Sequence, residues 1–189
     1  FWNVKRDSAG ESPIFHESLG NTKGILSSTT AAAITVEVWW NNTSPTTTQF
    51  TVGTSATVNN NTSPYIHYAW ANSGPYSFGS YTGNGSTDGP FINLGGFAAS
   101  YFAKHTSSAN AWYVGNSKFN LYIPWQSKMK LNDTDGEDNG GTWMSPTSTG
   151  QKLVLNSAFN NGDGIVYIYG AFGIQPIQGD GKINQGRAK

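Results

Sequence analysis

Short apolar and aromatic runs recur along the chain, and Asn, Gly, Ser or Pro bounds each of them. Runs of this length and composition are typical of β-strands separated by turns. Two further segments, 13–20 and 30–34, are candidate helices, although neither reaches the length of an average helix. The pattern predicts an all-β protein, with strands at 34–40, 49–55, 64–71, 99–105, 111–117, 151–159 and 165–173.

The strand pattern of the first half recurs in the second half. Three stretches reappear in the same order, at shifts of 99, 101 and 102 positions. Chance similarity between short strand-like words is the alternative, and the preserved order favours an internal duplication. The first match aligns "FWNVKRDSAGESPIF" (1–15) with "SYFAKHTSSANAWYV" (100–114) and places Lys5 on Lys104. The second aligns "SPTTTQFTV" (44–52) with "SPTSTGQKLV" (145–154) and places Pro45 on Pro146. The third aligns "YIHYAW" (65–70) with "YIYGAF" (167–172) and places Tyr65 on Tyr167.

Duplication predicts two similar β-sandwich-like lobes, which we expect to pack through the apolar faces of the last matched pair. Residues 1–77 form the first lobe, 78–178 the second, and 179–189 a C-terminal tail. The first lobe has no counterpart of residues 78–99, so it lacks its N-terminal strands. We expect that strand pair upstream of Phe1 or from another chain, because an open sheet edge carries unpaired backbone groups.

The glycine-rich stretch "FGSYTGNGSTDGPFINLGGF" (78–97) lies where the second lobe begins. Its Asn84-Gly85 pair is typical of a type I′ turn, and therefore of a β-hairpin. A phosphate-binding loop is the alternative, but the spacing of Gly83, Gly85 and Gly89 does not match that motif and no helix pattern follows. The stretch therefore predicts a hairpin.

Composition narrows the class of function. Eleven basic and eleven acidic residues give a net charge of zero, and this balance does not attract nucleic acid or an anionic membrane. The 14% of aromatic residues provide the apolar area for a packed core. The chain has no Cys, hence no disulfide framework, and no apolar run approaches the roughly 18 residues of a membrane helix.

The most suggestive candidate for a ligand contact is the pair Trp39 and Trp40, with Asn42 beside it. Adjacent residues of a strand face opposite ways, so one ring is expected in the core and the other in solvent. An exposed Trp could stack on a sugar or on a partner protein. A ring covered by a neighbouring loop or subunit is the favoured interpretation.

An acidic segment, "NDTDGEDNG" (132–140), is the weak candidate for a metal site. Alternating carboxylates and glycines can surround Ca²⁺, which takes six to eight oxygens. The spacing does not fit an EF-hand, and a solvated loop is the favoured interpretation. The four candidate ligands are Asp133, Asp135, Glu137 and Asp138.

Two further sets of residues are candidates for catalysis, and neither has the spacing of a known motif. A carboxylate pair for glycoside hydrolysis would have to come from Glu11, Glu17 and Glu37. The chain has three histidines, His16, His67 and His105. His67 falls in a predicted strand and aligns with Tyr169 in the repeat, whereas His105 aligns with Arg6, which suggests an exposed position. Solvated carboxylates and packed or exposed histidines are the favoured interpretation.

Three stretches carry a resemblance to a known family: "FTVGTSATVNNNTSPYIHYAWA" (50–71), "GSYTGNGSTDGPF" (79–91) and "YIYGAFGIQPI" (167–177). With the rest of the chain they resemble an uncharacterised domain of bacteriophage virion proteins. In that family the domain often follows a laminin-G or concanavalin-like domain in tail-fibre and other external proteins. The resemblance implies a structural role and supplies no catalytic residues. Residues 125–143 match no pattern of the family.

The sequence thus predicts a non-enzymatic protein on the exterior of the virion: a fibre, a tail-associated adhesin or a capsid-surface module. Expected partners are other virion proteins or copies of itself in a homo-oligomer, with host-surface glycan as a further ligand. No nucleic acid, membrane insertion or cofactor is expected. The alternatives are a glycan-active enzyme, such as a polysaccharide depolymerase, and a calcium-stabilised carbohydrate-binding module.

Overall fold

A computed structural model describes residues 1–7 and 10–175, and within them the chain is mostly β. The two α-helices have four residues each, and no helix of the described part is long and apolar enough to cross a membrane. The elements are β1 Trp2–Lys5, β2 Pro13–Ile14, a 3₁₀ turn Glu17–Leu19, β3 Lys23–Leu26, β4 Ile34–Thr35, α1 Glu37–Trp40, α2 Ala56–Asn59, β5 Tyr65–Tyr68, β6 Tyr76–Thr82, β7 Phe91–Asn93, β8 Ser100–His105, β9 Trp112–Asn116, β10 Met129–Lys130, β11 Met144–Pro146, β12 Gly150–Leu153 and β13 Val166–Phe172.

These strands form three antiparallel sheets. The first lobe contains a five-stranded sheet in the order β4-β3-β2-β1-β5. The second lobe contains a five-stranded sheet in the order β10-β9-β8-β13-β6 and a three-stranded sheet in the order β11-β12-β7. The predicted all-β class is confirmed. The predicted C-terminal tail, 179–189, lies outside the described residues.

The second lobe is a sandwich of its two sheets. Tyr101 and Ala103 project from one face of β8 into a core that also contains Trp143 and Leu153. All four side chains are fully buried. Burial of large rings contributes most of the apolar stabilisation in a core of this size.

The first lobe covers the matching face of its sheet differently. Its core contains Phe15, Trp39, Trp40 and Val58, so α1, α2 and the segment around Val52 occupy the place of a second sheet. The prediction of a strand over 34–40 is therefore wrong beyond β4. The chain turns into a helix that brings both indole rings inward, and Asn41 ends it in the left-handed conformation at φ 51°.

The two lobes pack sheet against sheet. Ile25 of β3 meets Trp112 of β9 and Ile168 of β13 in a shared cluster. The indole N–H of Trp112 donates to the backbone oxygen of Leu26 at 2.8 Å, which ties the two sheets together. The predicted contact through 65–70 and 167–172 is only partly right, because the first-lobe side of this cluster comes from β2 and β3.

Several other predicted elements differ from the structure. Residues 49–55 form no strand, and the run 151–159 remains a strand only to Leu153. The candidate helix 13–20 consists of β2 and the 3₁₀ turn, and 30–34 reaches regular structure only at Ile34. Strand-like composition occurs in irregular segments as well, so composition alone did not distinguish the two.

The glycine-rich stretch is not a hairpin. β6 pairs with β13, whereas β7 pairs with β12 in the other sheet. The chain therefore crosses between the sheets at residues 83–90. The amides of Gly83 and Gly85 donate to the backbone oxygens of Ile165 and Asn161, at 2.8 and 3.2 Å, so they already have partners within the protein. Gly85 has the positive φ, 61°, that the turn signal predicted.

Candidate functional site

The Trp39–Trp40 pair is not an exposed platform. Both rings are buried, at 4% and 0% exposure, and the Trp40 indole N–H donates to the backbone oxygen of Lys23 at 2.9 Å. In a helical turn, unlike a strand, consecutive side chains lie about 100° apart, and both can face one core. Asn42 is exposed, and its backbone oxygen accepts a hydrogen bond from Asn21. The predicted stacking contact is therefore wrong for both tryptophans.

The acidic segment is neutralised by lysines. Lys130 lies between Asp133 and Asp135, with its ammonium nitrogen 3.2 and 2.5 Å from their carboxylate oxygens, and hydrogen bonds to Asp135 and Asp133 raise the pKa of Lys130. Lys128 pairs with Asp138 at 2.9 Å. Among the described residues, no His, Cys, Asp and Glu side chains come together as a group that could hold a metal ion. The four candidate calcium ligands, Asp133, Asp135, Glu137 and Asp138, therefore do not form a metal site, and Glu137 is exposed.

The carboxylates considered for glycoside hydrolysis lie on separate elements. Glu17 begins the 3₁₀ turn and Glu37 begins α1, while Glu11 lies in the segment before β2. All three are exposed. None of the three therefore lies in a buried apolar pocket of the kind that surrounds the acid catalyst of a glycosidase.

His16 is a buried structural group at the contact between lobes. One ring nitrogen, Nδ1, accepts the amide of Ser18 at 3.2 Å, and Nε2 donates to the backbone oxygen of Tyr169 at 3.0 Å. Burial lowers the pKa of His16 to about 4, so the ring is neutral at pH 7. Both ring nitrogens are thus occupied by backbone groups.

The other two histidines also have packing roles. His67 lies in β5 with its ring centre 5.2 Å from that of Phe50, in the aromatic-like role expected of it. His105 is buried, not exposed, and its Nδ1 accepts the amides of Ser107 and Ser108. Its ring packs edge-on against Tyr167.

The two lobes share a hydrogen-bonding motif around the hydroxyl of a matched tyrosine. The Tyr65 hydroxyl donates to the oxygen of Ala56 at 2.7 Å and accepts the amide of Asn60 at 2.9 Å. The second lobe has the same bonds at the same lengths, from Tyr167 to the oxygen of Ala158 and from the amide of Gly162 to Tyr167. A positive φ also recurs, 70° at Thr62 and 66° at Gly164.

A threonine turn recurs in the same way. The amide of Thr46 donates to the oxygen of Gln49 at 2.8 Å, and its hydroxyl accepts the amides of Thr48 and Gln49. In the second lobe the same three bonds join Thr147, Thr149 and Gly150. Side chain to backbone bonds of this kind fix a turn locally, without help from a sheet.

The strand registers correct the sequence alignment of the repeat by one residue. Lys5 lies opposite Tyr65 in the first lobe, and His105 lies opposite Tyr167 in the second. The structural counterpart of Lys5 is therefore His105, and that of Val4 is Lys104. A one-residue change of register moves a side chain to the other face of its sheet, so the alignment Lys5 on Lys104 compared opposite faces.

The lobes differ most at an exposed loop of the second lobe. Residues 15–24 join the paired positions Ile14 and Ile25, whereas residues 115–128 join the corresponding Val114 and Met129, a connection four residues longer. The longer connection contains Leu121 and Tyr122, which are 78% and 84% exposed and are the most exposed large hydrophobic side chains of the described residues. We call residues 118–124 the apolar loop.

One asparagine fixes the shape of the apolar loop. The Asn120 side-chain oxygen accepts the amides of Gln126 and Ser127 at 2.9 and 2.8 Å, and its NH₂ donates to the oxygen of Ser127 at 2.8 Å. Asn120 is buried beneath the loop. The loop and the two residues after Trp125 line an open groove of about 300 Å³, and this lining, all of it in the described part of the chain, contains no carboxylate or imidazole.

Sequence reasoning missed the apolar loop. The signal for it was the run "FNLYIPW" (119–125), which is apolar without strand alternation and leads into the segment 125–143 that matches no pattern of the family. A run of this kind reads equally well as a buried strand. Only the tertiary structure shows that Leu121 and Tyr122 of this run point outward, whereas Trp125 is buried.

These features define a class of protein: a β-rich chain of two lobes with matching turns. Its second lobe exposes an apolar loop that the hydrogen bonds of Asn120 hold in place. The chain belongs to the family of a domain of unknown function, DUF7483, whose model matches residues 3–176. No curated protein and no solved structure matches the chain. Because the match spans both lobes, the family unit is the two-lobed arrangement and not a single lobe.

Proposed function

We propose that the chain is a non-enzymatic structural module on the exterior of a bacteriophage particle, and that it joins other virion proteins through the apolar loop. The observation that carries the proposal is the exposure of Leu121 and Tyr122 on a loop that Asn120 holds in one shape. The resemblance to phage virion domains supports the proposed place on a phage particle. The neutral net charge agrees with a contact that is apolar and not electrostatic.

The apolar loop has the chemistry of a protein contact. Tyr is enriched among residues that dominate binding energy, because it buries a large ring and keeps a hydroxyl for a hydrogen bond. A loop that is already ordered loses less entropy on binding than a flexible one. The bonds of Asn120 supply that order, so burial of the two side chains would contribute directly to affinity.

We also propose that the two lobes arose by duplication of one unit. The shared tyrosine and threonine motifs support this, because each reproduces several hydrogen bonds at matched positions. Matching strand neighbours support it too: β1 lies between β2 and β5, as β8 lies between β9 and β13. Duplication explains why one lobe gained a longer loop and the other did not.

The test replaces both exposed side chains in phage that encode the chain, as Leu121→Ser with Tyr122→Ser. We expect the wild-type chain in purified particles by mass spectrometry, and a loss of about tenfold or more in its incorporation for the double variant. The melting temperature of the purified double variant should stay unchanged, because neither side chain is buried.

A matched control is Val38→Ser, which removes a half-exposed apolar side chain from the first lobe, far along the chain from the loop. It should leave incorporation unchanged. The proposal is wrong if the chain is absent from purified particles, or if the double variant is incorporated as well as the control.

A further inference from the structure

The first lobe ends in a sheet edge with no strand beside it in the described part of the chain. β5 pairs with β1 on one side and is the last strand of its sheet. His67 and Tyr68 of this strand are exposed, the latter at 46%. An unpaired edge leaves every second amide and carbonyl of the strand without a backbone partner, which makes it a template for another strand.

The second lobe shows which strand fits such an edge. β13, the counterpart of β5, pairs with β8 on one side and with β6 on the other over its whole length. In that pairing Tyr81 lies opposite Tyr167, Gly79 opposite Tyr169 and Phe78 opposite Gly170. The same register on β5 would place these three residues opposite Tyr65, His67 and Tyr68, and aromatic pairs across strands stabilise a sheet.

A second open position lies in the same lobe. β12 pairs with β7 in the second lobe, and Gln151 of β12 is fully buried. The shared threonine turn makes Phe50 the counterpart of Gln151, yet Phe50 is 37% exposed and its segment belongs to no sheet. Within residues 1–7 and 10–175, the first lobe therefore has no counterpart of either β6 or β7.

One continuous segment fills both positions in the second lobe. β6 and β7 follow each other along the chain and lead directly into β8, whose counterpart is β1. The registers make Tyr101 the counterpart of Phe1, so the segment 76–100 corresponds to a stretch that ends where Phe1 begins. The geometry thus specifies the length, the direction and the point of attachment of the occupant.

We propose that a two-strand segment with the pattern of β6 and β7, continuous with the N-terminal end of β1, docks on β5 and on the segment around Phe50 and completes the first lobe. This inference rests on the proposed duplication and not on the apolar loop. Its backbone would give β5 a second set of hydrogen bonds. Its apolar face would cover Phe50 and His67, as β6 and β7 cover their counterparts in the second lobe.

The experiment adds a copy of residues 76–100 directly before Phe1 of the full chain. Hydrogen exchange by mass spectrometry then reports on the amides of residues 65–68. We expect their exchange to slow by about tenfold or more relative to the unfused chain, because open-edge amides become paired. The melting temperature should rise. The same segment added as a free peptide should slow the same amides at high concentration.

Two matched controls place proline in the added copy, one as Gly79→Pro and the other as Ser80→Pro. Neighbouring amides of a strand point to opposite sides, so one of the two controls removes an amide that faces β5 and the other removes one that faces solvent. Protection of residues 65–68 should fall more in one control than in the other.

The proposal is overturned if neither the fusion nor the peptide changes exchange at residues 65–68. It is also overturned if the unfused chain is a dimer whose β5 amides are already protected and the fusion leaves that dimer intact, because the occupant is then a second copy. Both outcomes leave incorporation through the apolar loop untouched, so the two proposals fail separately.

Discussion

The two lobes reach the same turns by the same hydrogen bonds but cover their sheets in different ways. The second lobe closes its core with a three-stranded sheet, whereas the first uses α1 and irregular segments. The motifs around Tyr65 and Tyr167 are nonetheless the same. The comparison teaches that local side chain to backbone bonds persist when the surrounding sheet is lost, because they depend on a few neighbouring residues only.

The lobes differ also in the polarity of the surface that each offers to the other. The second lobe contributes Lys104, which is fully buried and donates to the backbone oxygens of Thr30 and His105, both at 3.1 Å. Its first-lobe counterpart is Val4. Burial lowers the pKa of Lys104 to about 8. A contact that hides an ammonium group in this way depends on the bonds it makes, since an unpaired buried charge is strongly destabilising.

The largest expected effect comes from one buried tryptophan in each core. Trp39 and Trp143 are both buried, so each Trp→Ala variant should lower the free energy of unfolding by about 3–5 kcal/mol in urea titrations. Val38→Ala, next to the first tryptophan but 52% exposed, is the control and should change it little. A cost below about 1 kcal/mol for Trp39 alone would mean that the first core is loosely packed.

A pH effect should come next, and His16 of the first lobe should contribute to it. The pKa of His16 is about 4 in the folded chain, below the ordinary value of 6.5, so its contribution is complete above pH 6.5 and is lost as the pH falls toward 4. The loss should be on the order of 3 kcal/mol in denaturant titrations across that range.

The control for the pH effect is His16→Asn. The second-lobe counterpart of His16 is Asn116, whose side-chain oxygen accepts the amide of Lys118 as His16 Nδ1 accepts that of Ser18. Asparagine thus keeps the turn and does not titrate. If wild type and variant lose stability equally between pH 6.5 and 4, carboxylates and not His16 are responsible.

The matched tyrosine hydroxyls should show a smaller and unequal effect. Tyr167→Phe leaves the amide of Gly162 and the oxygen of Ala158 without their partner in a buried setting, at a cost of about 1–3 kcal/mol. Tyr65→Phe should cost less than about 1 kcal/mol, because water reaches the same groups in the first lobe. Thermal unfolding of both variants measures the difference, and equal costs would contradict it.

The smallest effect should come from calcium. The carboxylates of Asp133, Asp135 and Asp138 already pair with lysines, so neither millimolar Ca²⁺ nor a chelator should move the melting temperature. An increase on adding Ca²⁺ that the double variant Asp133→Asn, Asp135→Asn abolishes would restore the carbohydrate-binding module with a bound ion.

The sequence predicted the high strand content and the roles of some of the candidate site residues. β5, β8, β9 and β13 lie within predicted runs because each is a short run rich in aromatic or β-branched residues between turn formers. The repeated segments 65–70 and 167–172 contain Tyr65 and Tyr167, the tyrosines of the two motifs. The prediction failed at Trp39 and Trp40, where period-two alternation was assumed and a single helical turn placed both rings in one core.

By itself the sequence determined the β-rich class and strands such as β5, β8, β9 and β13, because strand propensity acts over a few neighbouring residues. The tertiary structure alone decided which strands become neighbours. It separated β6 from β7, matched Lys5 with His105, and turned Leu121 and Tyr122 toward solvent. Pairing and burial depend on residues distant in the chain, so no short stretch contains that information.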